Sequence, residues 1–558
     1  MQKKYILIAI LVIGILLRAT TLNDPFYGDD SAVAKIISDK EYFGGTIIPH
    51  PPLGNLILIE FTSAVGFDEW SFRFPTFFFA CATIILLYFF AKKYYDEETA
   101  LWSVFFLSFS AWHIYGSKTN FGGEAFLAFF TLLASFFFLS YTQSEKWYFH
   151  VLTGIFIGIA CMIKEASILL FPICIGYYLL NKFKIKTIMI NSVWMITGFS
   201  SIFIIFLIID YFFNNFHAIQ ALLGIMISTG IEKKGYITPD LFQYIFSFFK
   251  ILFWLTPLWV FAFILKTWKT KETSLKEHIK GTIQEYTFIY LCVYGLFFIF
   301  YISPSFDKPR YLLIISPFIA MYTGNFFAKL KLNQKQIIAC ALLTILFFTF
   351  FLYFNKDRNI ISFDDKNAIL NNIKTGQLNF DVGIISETGN PGIVININIF
   401  IIAYLLCTLF AITYILLKNP NWIIIILLFG AGFGYNIFLA EEFLFHWTSP
   451  DYADATQKII IYTNENNLVG PIYLFKDPSM NYYLPTYSEV YALDTIQNSP
   501  EKIQEIKTLI NEKGGTILLV DIPFINKDGE LWQFITQTCE EKYVVSDNGI
   551  DIGYVFSC

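Results

Sequence analysis

The sequence predicts a polytopic α-helical membrane protein of about thirteen spans, followed by a small extracytoplasmic α/β domain. Three observations carry this. The 558-residue chain is 56% hydrophobic, only 15% charged, and contains 64 Phe, more apolar surface than a soluble core can hide, so most of it belongs in lipid. Apolar runs of about 20 residues recur along most of its length. The last ~120 residues lose that character and alternate short apolar runs with polar, amphipathic stretches.

The expected spans lie near 4–22, 72–91, 100–116, 125–142, 147–163, 166–180, 188–210, 241–265, 283–303, 311–328, 335–354, 394–417 and 421–440. The fifth and sixth are nearly continuous around Lys164-Glu165. Loop charge sets the direction. With Lys3 and Lys4 inside, the cytoplasmic connections carry Lys92, Lys93, Lys182, Lys184, Lys186, Lys266, Lys269, Lys271, Lys276, Lys280, Lys329, Lys331, Lys335 and Lys418. The opposite loops are longer and rich in Asp, Glu, Asn and Gly. The first apolar run lacks a small-residue cleavage site and reads as a retained anchor.

An odd number of spans places 441–558 outside, which divides the chain into a membrane domain, 1–440, and an extracytoplasmic domain, 441–558. In the latter, IYLF (472–475) and GGTILLVDIPF (514–524) read as buried strands. SPEKIQEIKTLINEKG between them reads as an amphipathic helix from a Ser499-Pro500 cap to Gly514. KYVVSD and IGYVFSC close the sheet as a strand pair. Six of the eight Cys sit in apolar runs as small core residues. Cys539 and Cys558 flank polar sequence and can pair if that region is oxidising. No Cys/His cluster suggests zinc or iron–sulfur chemistry. A net charge of −5 with no basic groove argues against nucleic acid as a partner.

Polar chemistry concentrates in the first outer loop, 23–71. Asp29 and Asp30 directly follow the first span, and SAVAKIISDKEYF then patterns as an interfacial helix. IIPHPPLGNLILIEF follows, its prolines turning the chain and presenting His50 before a second apolar helix. One acid of the pair suffices to cap a helix; the second is costly beside lipid unless hydrated, paired or cation-bound. A histidine beside Pro-Pro is by itself often a turn residue.

In combination, Asp29-Asp30, His50-Pro51-Pro52-Leu53-Gly54, Phe72-Arg73-Phe74-Pro75 and Lys308-Pro309-Arg310-Tyr311-Leu312-Leu313 resemble the GT-C class of polyprenyl-phosphate-sugar-dependent membrane glycosyltransferases. That class includes the protein O-mannosyltransferases and the aminoarabinose transferases. HPPLG is especially similar to the protein mannosyltransferase form, and thirteen spans with an outer soluble tail resemble the aminoarabinose transferases. The resemblance implies a helical bundle opening to the outer leaflet, a sugar donor on dolichyl or undecaprenyl phosphate, a hydroxyl acceptor on protein, lipid or glycan, and inversion at the transferred sugar.

Carried onto this chain, Asp29 becomes the general base and Asp30 its support or a cation ligand. Arg310 with Tyr311, then Lys164, then Arg73 become donor-phosphate ligands; snorkelling or pairing with acids is the plainer reading of the cations. His50 and Glu124 become substrate-binding residues. The family's third-to-fourth span loop commonly presents Asp; here GSKTNFGGEAFLAFF offers Glu124, which with Asp30 makes a possible Mg²⁺ or Mn²⁺ site. A lipid-glycan transporter or flippase would show repeat halves, but this sequence shows no convincing internal repeat and its acids cluster outside rather than mid-span. An oligosaccharyltransferase would usually carry a Trp-Trp-Asp-type motif in a larger outer domain, whereas the tail here has only Trp532 after Trp447, and HPPLG after an early acid pair argues against an O-antigen-type ligase. The absence of a eukaryote-style MIR insert between spans suggests an archaeal or bacterial cell-membrane protein, and the Ile, Phe, Asn and Lys bias suggests an AT-rich genome.

Overall fold

A computed structural model describes residues 2–20, 22–24, 26, 33–34, 37, 53–118, 123–214, 252, 255–266, 283–297, 313–355, 360–362, 375, 381–384, 393–417, 422–447, 451–466, 468, 471–475, 490–492, 500–520 and 529–558. They fall into two compact units. The first comprises 1–22, 40–348 and 403–440; the second comprises 23–39, 349–402 and 441–558.

The first unit is helical: α1 (Gln2–Ala19), α2 (Leu53–Val65), α3 (Glu69–Tyr94), α4 (Glu97–Ser108), α5 (Ala111–Lys118), α6 (Glu124–Ser144), α7 (Tyr148–Cys161), a 3₁₀ turn (Glu165–Leu169), α8 (Leu170–Leu180), α9 (Ile185–Asn214), α10 (Leu255–Lys266), α11 (Ile283–Phe297) and α12 (Ser316–Leu330). α13 (Gln334–Phe354), α14 (Ile397–Leu416) and α15 (Trp422–Leu444) follow in the chain. Among the described residues, seven helices are long and apolar enough to cross a membrane, and four shorter apolar helices accompany them. The protein is thus a multi-pass membrane protein, as the composition predicts.

In lipid, apolar character cannot tell core from periphery, so close packing by small residues decides it. α7 and α9 meet at Gly154 and Gly198, where an added Cβ would collide with the backbone of Met195 and Val151 respectively. α12 meets α4 at Gly324, where a Cβ would collide with Ser103. The α12 segment Leu313–Leu330 is accordingly 83% buried, whereas Ile185–Ile209 of α9 is 11% buried.

The expected third span, 100–116, is corrected: it is two helices, α4 and α5, interrupted at Phe109-Ser110. Broken backbone at membrane depth persists only where its polar groups are satisfied. Here Arg18 of α1, fully buried, donates Nη1–H to Ser108 O at 2.8 Å and Nη2–H to Leu107 O at 3.1 Å. Its remaining partners are Gly14 O at 2.7 Å and His113 Nδ1 at 2.8 Å. The guanidinium only donates, so His113 accepts at Nδ1 and carries its proton on Nε2. From α15, the Asn436 amide accepts from Ala111 N–H at 3.1 Å and donates to Phe109 O at 2.5 Å. Arg18→Met removes the side-chain donors to Gly14 O, Leu107 O, Ser108 O and His113 Nδ1 and is expected to cost about 3 kcal/mol or more. Thermal melting in detergent checks this; an unchanged midpoint would remove Arg18 from the account.

In the second unit, β1 (Ile360–Ser362), β2 (Asp381–Ile384) and β3 (Ile393–Asn396) form a three-stranded sheet within a segment the sequence presents as loop. The span expected from residue 394 therefore starts as strand, and its helix begins at Ile397. Ile-Val-Ile fits either reading, because a short apolar run has no distinguishing period.

The C-terminal part holds α16 (Tyr452–Glu465), β4 (Ile472–Phe475), β5 (Val490–Ala492), α17 (Pro500–Lys513), β6 (Thr516–Val520), α18 (Glu530–Thr538), β7 (Glu540–Asp547) and β8 (Ile550–Ser557), with sheet order β5-β4-β6-β8-β7. β5, β4 and β6 are parallel; β8 and β7 close the sheet as an antiparallel hairpin. The strand period of two splits the core. Leu474, Leu518 and Val520 pack with Ala455 and Ile459 of α16. Tyr473, Ile517 and Leu519 pack with Ile503, Ile506 and Ile510 of α17 and Leu531 and Ile535 of α18. α17 stops at Gly514, whose φ of +62° suits glycine. The β7–β8 turn is Asn548-Gly549, both with positive φ, the dipeptide such hairpins prefer.

Cys539 and Cys558 form a disulfide across the base of this hairpin, separated by 19 residues. Cys539→Ser is expected to cost about 3 kcal/mol by chain-entropy reasoning. Thermal unfolding measures it: dithiothreitol should bring the wild type down to the variant and leave the variant unmoved.

Candidate functional site

Three loops of the first unit converge at one end of the helices. After α7, the chain turns through Met162-Ile163-Lys164 before the 3₁₀ turn. Met162 O accepts the first N–H of α2, that of Leu53, at 2.9 Å. This anchors the Leu53-Gly54 end of HPPLG to the 162–164 loop. Ile163 lies under the next loop: a Cβ on Gly123 would approach its Cγ2 to 2.8 Å. Gly123 also has φ +70°, so the position suits glycine on two counts. It turns the chain into α6 and places Glu124 in the first turn, where the helix N-terminus favours an anion.

The two loops then join chemically. Lys164 Nζ donates to Glu124 Oε1 at 2.8 Å, with both side chains at most 4% exposed. Burying one of these charges alone would cost several kcal/mol, so the pair forms as a unit. Two further contacts extend the convergence. Arg73, 4% exposed near the start of α3, donates from Nη1 to Leu22 O at a long 3.4 Å, tying α3 to the point where the first loop leaves α1. Leu313, the last residue of KPRYLL, packs on α5 so closely that a Cβ on Gly116 would collide with it.

The expected site residues thus divide. Lys164 and Glu124 are brought together, as each other's ion-pair partner, and Arg73 is buried near the root of the first loop. Asp29, Asp30, His50, Arg310 and Tyr311 lie outside the described residues. Among the described residues no group of three His, Cys, Asp or Glu is placed to hold a metal ion, and Glu124 already faces an ammonium. Sequence reasoning missed the Arg18–His113 brace; a lone arginine inside an apolar run was the signal available for it. It also passed over Lys118, which ends α5 just before the loop to Glu124.

Residues 49–209 match the family model for dolichyl-phosphate-mannose-protein mannosyltransferases. The match spans HPPLG, FRFP, Glu124 and Lys164, under a third of the chain. Among solved structures, ArnT from Cupriavidus metallidurans bound to undecaprenyl phosphate aligns with TM-score 0.56 and 13% identity, over 99% of this chain and 97% of that one. Its apo state aligns with TM-score 0.54, 13% identity and the same coverage. At that identity the likeness is one of fold. No curated protein matches the chain. The GT-C resemblance read from the sequence is met by the family match and by the fold: the chain has the GT-C membrane glycosyltransferase architecture.

Proposed function

We propose that this protein transfers a sugar from a polyprenyl-phosphate carrier to an acceptor hydroxyl at the outer membrane face, by inversion. The observation that carries the reading is the convergence of the Leu53-Gly54 end of HPPLG, the Gly123-Glu124 start of α6 and the Lys164 loop at one end of the bundle, inside the region that matches the family model. The lysine-rich connections lie at the other end: Lys93 Nζ bonds Ser140 Oγ at 2.7 Å, near the far ends of α3 and α6. By the positive-inside bias that end is cytoplasmic, and the converging loops face outward. The membrane domain 1–440 then holds the reaction, and 441–558 sits outside and helps to receive the acceptor.

Asp29 accepts the proton of the acceptor hydroxyl as its oxygen attacks the anomeric carbon, and Asp30 orients it. The bond to the carrier phosphate breaks on the opposite face, as inversion requires. The leaving phosphate is already an anion, so it needs positive charge more than a proton. Arg310 and Tyr311, Lys164 and Arg73 provide that charge and hydrogen bonding, and His50 lines the acceptor side. Mannose is the sugar suggested by the family match. The carrier class agrees with the undecaprenyl phosphate in the structurally similar ArnT complex.

A divalent cation at Asp30 and Glu124 remains a separate proposal, in competition with Lys164 for the Glu124 carboxylate. EDTA should abolish transfer and Mg²⁺ or Mn²⁺ restore it; full activity in EDTA would remove the cation. The function itself is tested by presenting the protein, in lipid nanodiscs, with a panel of mannosyl, glucosyl, galactosyl and aminoarabinosyl polyprenyl phosphates. Acceptor-dependent loss of one sugar from its carrier is expected; carriers left intact across the panel would overturn the proposal.

A further inference from the structure

The opposite end of the bundle holds a cation that the transfer reaction does not use. Lys266, the last residue of α10, is 7% exposed, and its ammonium is buried with no hydrogen-bond partner. It sits 3.7 Å from the centre of the Tyr322 ring, on α12, and 5.8 Å from that of Tyr95, just past α3. The hydroxyls of Tyr95 and of Thr287, the latter on α11, are also buried; they face one another, and neither makes a hydrogen bond of good geometry. A second cation, Lys329, also acts on Lys266. Glu285, two residues before Thr287, accepts from Asn181 Nδ2 at 2.9 Å.

Buried polar groups are nearly always partnered, and unpartnered ones call for an absent ligand or water. The two aromatic faces stabilise the ammonium only in part. Three donors from three elements, with a second lysine nearby, form an arrangement that suits the oxygens of a phosphate. Its position favours a lipid source. Ile264 and Phe288, on α10 and α11, are 39% and 36% exposed on the apolar surface, while Lys92, Lys93, Lys329 and Lys331 mark the headgroup level. Basic pockets between spans on the cytoplasmic side bind anionic headgroups.

We propose that Lys266, with the Tyr95 and Thr287 hydroxyls, binds the phosphate of an anionic phospholipid at the lysine-rich end of the bundle. The site is separate from the donor-phosphate cations at the Lys164 end.

Native mass spectrometry of the full-length protein, exchanged from phosphatidylcholine into phosphatidylglycerol, tests this without requiring activity. One tightly held phosphatidylglycerol is expected, weakened about tenfold or more in Lys266→Met and kept in Lys266→Arg. Millimolar inorganic phosphate should not displace it. If Lys266→Met fails to fold, Tyr95→Phe and Thr287→Val remove one hydroxyl each and should weaken binding severalfold. Unchanged affinity in these variants, or displacement by inorganic phosphate, would overturn the proposal.

Discussion

Asp29→Asn is expected to slow sugar transfer by about 10²–10⁴-fold, the range over which a positioned general base acts, while leaving carrier binding in place. Asparagine keeps the shape and the hydrogen-bonding oxygen but accepts no proton. The loss should therefore appear in kcat, with KM for the carrier little changed. Asp30→Asn should lose less, because its proposed role is to orient Asp29. Equal losses in the two variants would contradict that division of roles. Steady-state kinetics with a single donor and acceptor separate the cases.

The second large effect concerns the ion pair. Lys164→Met leaves the Glu124 carboxylate buried against an apolar side chain, and Glu124→Leu does the same to the ammonium. Each is expected to cost about 3–5 kcal/mol in stability, because breaking a buried pair takes the opposite charge away from the one left behind. The double variant Lys164→Met/Glu124→Leu should recover most of that, since apolar replacement of both partners is often neutral. Transfer should not recover with it. If Lys164 also serves the carrier phosphate, the double variant melts like the wild type and binds undecaprenyl phosphate about tenfold or more weakly. A pair that is only structural gives a double variant with normal carrier affinity. Melting curves and carrier affinity on the same four proteins decide between them.

Much of this was legible before the fold was seen, for physical reasons that can be named. α17 announced itself through Pro500 at its start, amphipathic spacing along it and Gly514 at its end. β6 is a short apolar run after Gly-Gly and is buried along its whole length. The first-loop helix after HPPLG followed from a proline turn ahead of an apolar stretch. The break at Phe109-Ser110 was not legible, because LWSVFFLSFSAWHIY is apolar on both sides of it. What breaks the helix is distant: Arg18 and Asn436 supply hydrogen bonds from other helices. The Glu124–Lys164 pair was half legible. Both residues stood out as charges beside lipid, but their 40-residue separation hid the contact that Gly123 and Ile163 enforce. β1 to β3 were missed because three or four residues give too few periods to read.

The most direct test of the central claim is the fate of the anomeric centre. A polyprenyl-phosphate sugar of known anomeric configuration is incubated with the protein in nanodiscs and a hydroxyl acceptor, and the product is examined by NMR. The account predicts free polyprenyl phosphate and a product with the opposite configuration. Retention of configuration, or a carrier that keeps its sugar, would contradict it.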